Sequence, residues 1–257
     1  MNISVIIITH NEEKNILACL SNVKWADELI VVDDFSTDNT KKLAEEFGAK
    51  VFQVKWQGYG KQKNYALSLA NGDWILSLDA DERVTPELAE EIQAVVPHSQ
   101  MDGYQISRKA YFLGKWIKHS GWYPDYCLRL FRKGKAGFVE KPVHEFVELD
   151  GRRDQLKGAL LHYTDTCLEH YLHKLCCYTT LAADELTAKN KKASLGDIII
   201  RPSFIFVKMY ILKKGWLDGM HGFILAILSS FYVFVKYAKL WEKGLFAMRD
   251  TKKNREV

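Results

Sequence analysis

The sequence is short of several features that mark common protein classes. It has five cysteines, Cys19, Cys127, Cys167, Cys176 and Cys177. Their number is odd, two are adjacent, and their spacing fits no zinc pattern. This argues against a disulfide framework and points to a reduced, cytosolic protein. An excess of one charge is also missing. The 36 Lys and Arg against 32 Asp and Glu leave a formal net charge of +4, which gives no ground for a nucleic-acid partner. No apolar run reaches the ~20 residues of a spanning helix. Met1-Asn2-Ile3-Ser4 leads into a strand without a charged leader, so no signal peptide is expected. Internal repeats and low-complexity linkers are absent. No glycine follows the first apolar strand, where the chain reads Thr9-His10-Asn11-Glu12. A nucleotidyltransferase with a glycine-rich phosphate cradle is therefore disfavoured.

What is present is an ordinary globular composition, 47% hydrophobic and 26% charged over 257 residues. That suffices for a real core and one large domain, with or without an appendage. The first half alternates strand and helix. Strands are expected at Ser4–Ile8, Glu28–Val32, Lys50–Val54 and Trp74–Leu78. Helices are expected at Glu12–Leu20, with Asn11 as N-cap, and at Asn39–Phe47, Lys61–Ala70 and from Pro86. Near-continuous apolar strands separated by short helices mean a parallel sheet covered on both faces. Later strands are expected at Gly103–Lys109, Tyr111–Ile117, Tyr126–Arg132 and His144–Leu149, then a long helix at Leu168–Lys189.

Ligands of such sheets bind outside the carboxyl ends of the strands. Three polar clusters fall there: Thr9-His10-Asn11-Glu12, Asp33-Asp34 and Asp79-Ala80-Asp81. The last follows the run Trp74-Ile75-Leu76-Ser77-Leu78. Two carboxylates two residues apart at a strand end point the same way and can share one hard divalent cation. Alone, an Asp-x-Asp reads as a solvated turn; beside the two upstream clusters, the functional reading is preferred.

These clusters, with Val31-Val32-Asp33-Asp34-Phe35-Ser36-Thr37-Asp38 and Asp79-Ala80-Asp81-Glu82, resemble the nucleotide-sugar-binding half of family 2 glycosyltransferases. Gly60-Lys61-Gln62-Lys63-Asn64-Tyr65-Ala66, Asp79-Ala80-Asp81-Glu82-Arg83 and Lys214-Gly215-Trp216-Leu217-Asp218-Gly219 resemble the lipopolysaccharide-core subgroup, which adds a sugar, often glucose, to an inner-core heptose. The resemblance implies an α/β GT-A fold with a mixed sheet. It divides into a catalytic domain over 1–165 (donor half 1–100, acceptor half 101–165) and a helical, basic, membrane-docking region over 166–257. It implies inverting transfer of a hexose from a nucleoside diphosphate sugar, UDP-glucose first among them, to a glycolipid with Mg²⁺ or Mn²⁺. By the same resemblance, Asp81 ligates the metal and Asp79 contacts metal or ribose. Asp34 holds the base, with Asp33 a less secure neighbour. Thr9, Asn11 and Glu12 line the donor pocket, and Lys63 reaches the diphosphate from its helix; Arg129 and Arg132 are candidates to clamp phosphate, acceptor or Glu145, with surface pairing as the competing reading. His144 is a candidate third ligand, with a structural role equally open. The family's usual Glu-Asp pair is missing, so the general base falls to Asp125, in Trp122-Tyr123-Pro124-Asp125, with Glu145 and Glu140 as rivals. A polyprenyl-phosphate acceptor and a non-catalytic binding module are the alternative readings.

The C-terminal part carries the charge bias. From Arg201 to Val257 there are eleven Lys and Arg against Asp218, Glu242, Asp250 and Glu256. Its apolar stretches, 198–212 and 222–235, are flanked by Lys, Trp and Tyr, as in helices lying in a bilayer interface. A peripheral place on the cytoplasmic face of a bacterial inner membrane, against anionic lipids, is the expectation. A buried core helix or a dimer interface is the competing reading of 222–235.

Overall fold

The structure is a computed structural model; it describes residues 1–140 and 146–253, without the side chains of 246–253. The chain forms two compact units. The first comprises residues 1–110 and 124–164, the second 111–123 and 165–257.

The first unit is built on a sheet. The apolar segments become β1 (Ile3–Thr9), β2 (Glu28–Asp33), β3 (Lys50–Gln53) and β4 (Trp74–Asp79). They run parallel in the order β3-β2-β1-β4. Between them lie α1 (Ile16–Ser21), α2 (Thr40–Phe47) and α3 (Tyr59–Leu69). Beyond β4 come β5 (Glu82–Val84), α4 (Pro86–Val95), β6 (Gly103–Phe112), β7 (Lys115–Trp116) and β8 (Asp125–Arg132). The pair β9 (Ala136–Phe138) and β10 (Val147–Leu149) forms a separate small antiparallel ribbon, and β11 (Arg153–Asp165) follows. The main sheet continues past β4 as β8-β6-β11-β5, with β8 antiparallel to β4.

Alternation along the strands fills both faces. Val5, Ile7, Val31, Leu76 and Leu78 point to one side, against Ile16 and Leu20 of α1 and Leu88 and Ile92 of α4. Ile6, Ile30, Val32 and Ile75 point to the other, against Ala66 of α3. The close approach of α3 to β9 explains the glycine of its first turn. A Cβ on Gly60 would lie 2.8 Å from the carbonyl oxygen of Val139. Thr85 caps α4 by accepting from Leu88 N (3.3 Å), with Pro86 in the first turn as the sequence predicts.

Two local expectations fail. Asn11 is no N-cap: its φ is +54°, its side chain accepts from Thr37 N at 2.8 Å, and α1 starts only at Ile16. The loop between strand and helix needs those turns to reach over the sheet edge. Strand β11, thirteen residues long, is absent from the sequence reading. Its first three residues, Arg153-Asp154-Gln155, are exposed and polar, and the buried Leu156, Ala159 and Leu160 that follow do not alternate, so no period of two marks the strand.

The second unit contains α5 (Leu168–Ala188), α6 (Leu195–Val207), a π-turn at Lys208–Leu212, a 3₁₀ turn at Gly215–Asp218, and α7 (Met220–Lys253). Ser194 and Asp197 form a reciprocal capping box on α6. The two apolar stretches are longer than the sequence suggests. Lys236, Lys239 and Lys243 do not end the helix, and Met220–Leu245 is long and apolar enough to cross a membrane by length and composition. Leu225, inside the stretch expected to meet lipid, is fully buried in a cluster with Phe112 and Ile117.

Candidate active site

The carboxyl ends of β1, β2 and β4 lie side by side. Thr9 pairs with Asp33, and Ile8 with Asp79. The three polar clusters therefore do share one rim. Thr9 is buried, and its hydroxyl has no hydrogen-bond partner among the described residues. Glu12 bonds Asn15 through Oε2 (2.7 Å) while its own N–H donates to Thr40 Oγ1 (2.7 Å). Asp33 is buried and committed to its own turn, accepting from Ser36 N (3.0 Å) and Gln53 Nε2 (3.2 Å). Asp34 accepts from Trp56 N (2.8 Å), and its carbonyl faces His10 Nδ1 at 2.7 Å. Trp56 and Phe35 beside it are about half exposed, at 46% and 50%. Asp38, one residue before the N-cap Asn39 of α2, accepts from Thr40 N at 3.0 Å.

Beyond Asp79 runs a chain of alternating charges. Lys63 Nζ lies 2.8 Å from Asp79 Oδ1, and Arg129 Nη2 lies 2.5 Å from Asp79 Oδ2. The same Arg129 nitrogen reaches Glu82 Oε1 at 2.6 Å. Arg108 Nη1 stands 3.6 Å from that oxygen, and Arg108 donates through Nε (2.9 Å) and Nη2 (2.5 Å) to Asp125 Oδ2. Three cations and three carboxylates alternate from Lys63 to Asp125. Glu82 is fully buried and also accepts from Asp79 N at 3.1 Å. Burial opposes the charge on Asp79, but Arg129 and Lys63 outweigh it and hold the carboxyl well below the usual range. Arg129 is likewise held well above its ordinary value: its burial is more than offset by Asp79 and Glu82.

A β-bulge builds this chain. Tyr104 of β6 pairs with Leu130 but Gln105 pairs with Leu128, so Arg129 is the extra residue on β8. A bulge re-aims the side chain it carries. It also re-phases the strand, which sets Arg108 directly opposite Asp125. Sequence periodicity carries no sign of this, so Arg108 and Glu82 were missed as site residues.

Asp81 stands apart from the chain of charges. Its carboxylate faces His162 Nε2 at 3.4 Å, and its carbonyl accepts from Tyr163 N at 3.0 Å. His162, on the unforeseen β11, pairs with Glu82 across the strands. Its imidazole is largely buried, which favours the neutral form, yet Asp81 raises it above its ordinary value. Nothing in the sequence around His162 has the spacing of a ligand set. His144 and Glu145 lie outside the described residues; Glu140 is exposed.

For a metal, the donor set is partial but of the right kind. Both oxygens of Asp79 are engaged by cations, whereas Asp81 offers a hard carboxylate with an imidazole beside it. Among the described residues no group of three His, Cys, Asp or Glu gathers as a metal cage. Mg²⁺-type sites need no such cage, because substrate phosphates and water complete the shell around one or two carboxylates.

A rim of this kind is shared by many nucleotide-binding sheets; the sequence comparison decides between them. The family model of Glycosyl transferase family 2 matches residues 4–148. This chain belongs to glycosyltransferase family 2. An uncharacterized glycosyltransferase of Rickettsia typhi is 33% identical over 95% of this chain and 88% of its own length. The lipopolysaccharide core biosynthesis glycosyltransferase LpsC of Rhizobium meliloti is 28% identical over 96% of this chain and 94% of its own. A crystal structure of Staphylococcus aureus TarS 1–349 with UDP-GlcNAc aligns at a TM-score of 0.49 and 18% identity, covering 96% of this chain and 92% of that one. The transferase has the GT-A fold, and its reaction is nucleotide-sugar-dependent glycosyl transfer.

Proposed function

We infer that this glycosyltransferase moves a hexose, glucose first among the candidates, from a nucleoside diphosphate sugar to a glycolipid acceptor with inversion at the anomeric carbon. The lipopolysaccharide inner core is the favoured acceptor, because a relative of nearly equal length carries that role in its name. The observation that carries the reading is Asp81 left outside the chain of charges at the end of β4. Asp81, with His162 behind it, would hold a divalent cation that neutralises the leaving diphosphate. Asp34 takes the base, with Trp56 exposed beside it. The hydroxyl of Thr9, without a partner among the described residues, is available to the donor. Lys63 and Arg129 place two positive charges at the rim, and Asp79 fixes both.

Asp125 is the base. Arg108 grips Oδ2 with two hydrogen bonds and so orients the carboxylate, while Oδ1, which faces the weakly donating Cys127 thiol at 4.0 Å, is the oxygen that accepts a proton. As the acceptor oxygen attacks the anomeric carbon, its proton passes to Oδ1. The bond to the diphosphate oxygen breaks, and the electron pair leaves with the diphosphate. The apolar helix α7 keeps one second reading open, a polyprenyl-phosphate acceptor.

The test is calorimetric titration with UDP-, GDP- and dTDP-sugars, with and without Mn²⁺, followed by transfer assays on core glycolipid and on polyprenyl phosphate. One donor should bind in a metal-dependent way. Asp81→Asn should remove that dependence and at least ~10²-fold of transfer with the melting temperature kept; unchanged turnover would sink the assignment. Asp125→Asn should keep donor binding and lose transfer. Retained transfer would move the base role to Glu145 or Glu140.

A further inference from the structure

The apolar surface of the second unit is uneven along the two apolar stretches of the sequence, and the first is the more exposed. In α7, Leu225 and Ala226 are fully buried. The most exposed large apolar side chains lie in α6, the two turns after it and the first residue of α7; further along α7, Ile227, Phe231, Phe234 and Trp241 are exposed at 41–52%. Ile200 is 68% exposed, Phe204 57%, Leu212 64%, Trp216 53%, Leu217 47% and Met220 67%. Over 198–220 the exposed charges are all positive: Arg201, Lys208, Lys213 and Lys214. The one acid there, Asp218, is buried. Water-facing Leu, Phe and Trp ringed by lysine suit the headgroup–acyl boundary of an anionic bilayer.

The helix long enough to cross is tied down elsewhere. Within Met220–Leu245, Lys239 donates to Cys176 O (2.8 Å), Thr179 Oγ1 (2.9 Å) and Thr180 Oγ1 (2.7 Å) of α5. Lys243 pairs with Asp184 at 2.7 Å. The partner helix α5 exposes Glu169, Asp184, Glu185 and Lys189. A spanning α7 would either break these bonds or draw that charge into hydrocarbon, and each charge there costs about 2.5 kcal/mol or more.

The turns between α6 and α7 are also rigid. A Cβ on Gly215 would lie 2.7 Å from Met209 O, and one on Gly222 would lie 1.9 Å from Gly215 O. Buried Asp218 accepts from His119 N (2.9 Å) and from the His119 ring (3.0 Å). Lys115 Nζ donates to Asp218 O at 2.8 Å, and Ser120 N to Lys213 O at 2.9 Å. The loop 115–120 is thus clamped onto the turns, and five residues later the chain reaches Asp125. The motif Lys214-Gly215-Trp216-Leu217-Asp218-Gly219 has its physical reason here: glycines for close approach, Asp218 for the clamp, Trp216 and Leu217 left outside.

We propose that residues 199–220 form a monotopic foot that enters one leaflet of an anionic bilayer, and that α7 does not cross it. The foot rests on the glycolipid-acceptor reading for its purpose but not for its measurement. The experiment uses the full chain, tagged at both ends, with sealed phosphatidylcholine vesicles containing or lacking 30% phosphatidylglycerol as an order-of-magnitude anionic load. The protein should sediment with the anionic vesicles, and protease added outside should remove both tags. Leu212→Glu with Leu217→Glu should lower partitioning at least ~10-fold, and Lys213→Gln with Lys214→Gln roughly fivefold per lysine, less at high salt. A protected C-terminal tag would establish a spanning helix and overturn the foot. Binding unchanged by the Leu pair would do the same. So would a dimer in sedimentation velocity that the Leu pair dissociates, without vesicle binding. UDP-glucose titration with Mn²⁺ on the same samples separates the two readings: vesicle binding without donor binding would refute the donor assignment and leave the foot standing.

Discussion

The two units treat polar and apolar surface in opposite ways. The first takes charge inside: Glu82 and Arg129 are buried in a sheet whose core is largely Ile, Val and Leu. The second turns apolar side chains outward, from Ile200 to Met220. Each arrangement is unfavourable alone. A buried charge needs a partner at hydrogen-bond distance, and an exposed apolar patch needs a non-aqueous surface. The first need is met internally by the alternating run from Lys63 to Asp125; the second is met only by something outside the chain. The first unit thus carries a charged rim whose groups pair with one another. The second is built as half of an interface.

Breaking the internal pairing should have the largest effect. Arg129→Met leaves Asp79 and Glu82 facing each other without their shared cation. We expect a loss of about 3–5 kcal/mol in urea unfolding, together with transfer activity. Next comes a contrast within α7. Leu225→Glu puts a carboxylate into the cluster around Phe112 and should lose about 3–4 kcal/mol. Phe231→Glu, at a position 44% exposed, should stay within about 0.5 kcal/mol. Equal effects would mean that α7 does not distinguish an inner from an outer face.

A smaller effect belongs to Glu28, which joins β1, β2 and the turn before β4. It accepts from Ser4 Oγ (2.6 Å), Lys50 Nζ (2.8 Å) and Asn71 N (2.8 Å). Partial burial opposes its charge, but these bonds prevail and bring it from 4.5 to about 2. A lowered carboxyl stabilises the fold above its unfolded value and stops doing so as pH falls through the folded one. Glu28→Gln should therefore lose about 1–2 kcal/mol at pH 7, and the gap to wild type should close between roughly pH 4.5 and 2. A pH-independent gap would show that packing, not charge, is at stake. The smallest effect is chemical. Buried Cys19, its thiol pushed up to about 12 by burial, should be the last of the five cysteines alkylated by iodoacetamide, and exposed Cys176 and Cys177 among the first, by mass spectrometry.

The same division decides what could be read from the sequence. The parallel half was legible because its strands are continuous apolar runs and its rim residues follow them directly. Thr9, Asp33 and Asp79 fall where strand ends were expected. The antiparallel half was legible only in part. Arg129 was singled out, but its position depends on a bulge, which is a property of two strands and not of one. His162 and Arg108 reach the site through cross-strand register with Glu82 and Asp125. Register over such separations leaves no local periodicity. In the second unit, composition foretold an apolar, basic surface over 198–212 and 222–235 but not its distribution, because hydropathy cannot say which side of α7 meets α5 and α6.

Strand β11 has a consequence in time as well as in space. It lies between β6 and β5, and only on its arrival does His162 meet Asp81. Residues 1–100 hold most of the donor-side residues yet lack β8, β6 and β11, which supply Arg129, Arg108 and His162. Non-local pairing of this kind is slow, because the intervening loop must close before any contact forms. On a ribosome the parallel half emerges with Lys63 beside Asp79 but without the cations that face Glu82 and Asp81, and the charge pattern is complete only once residue 165 has been made.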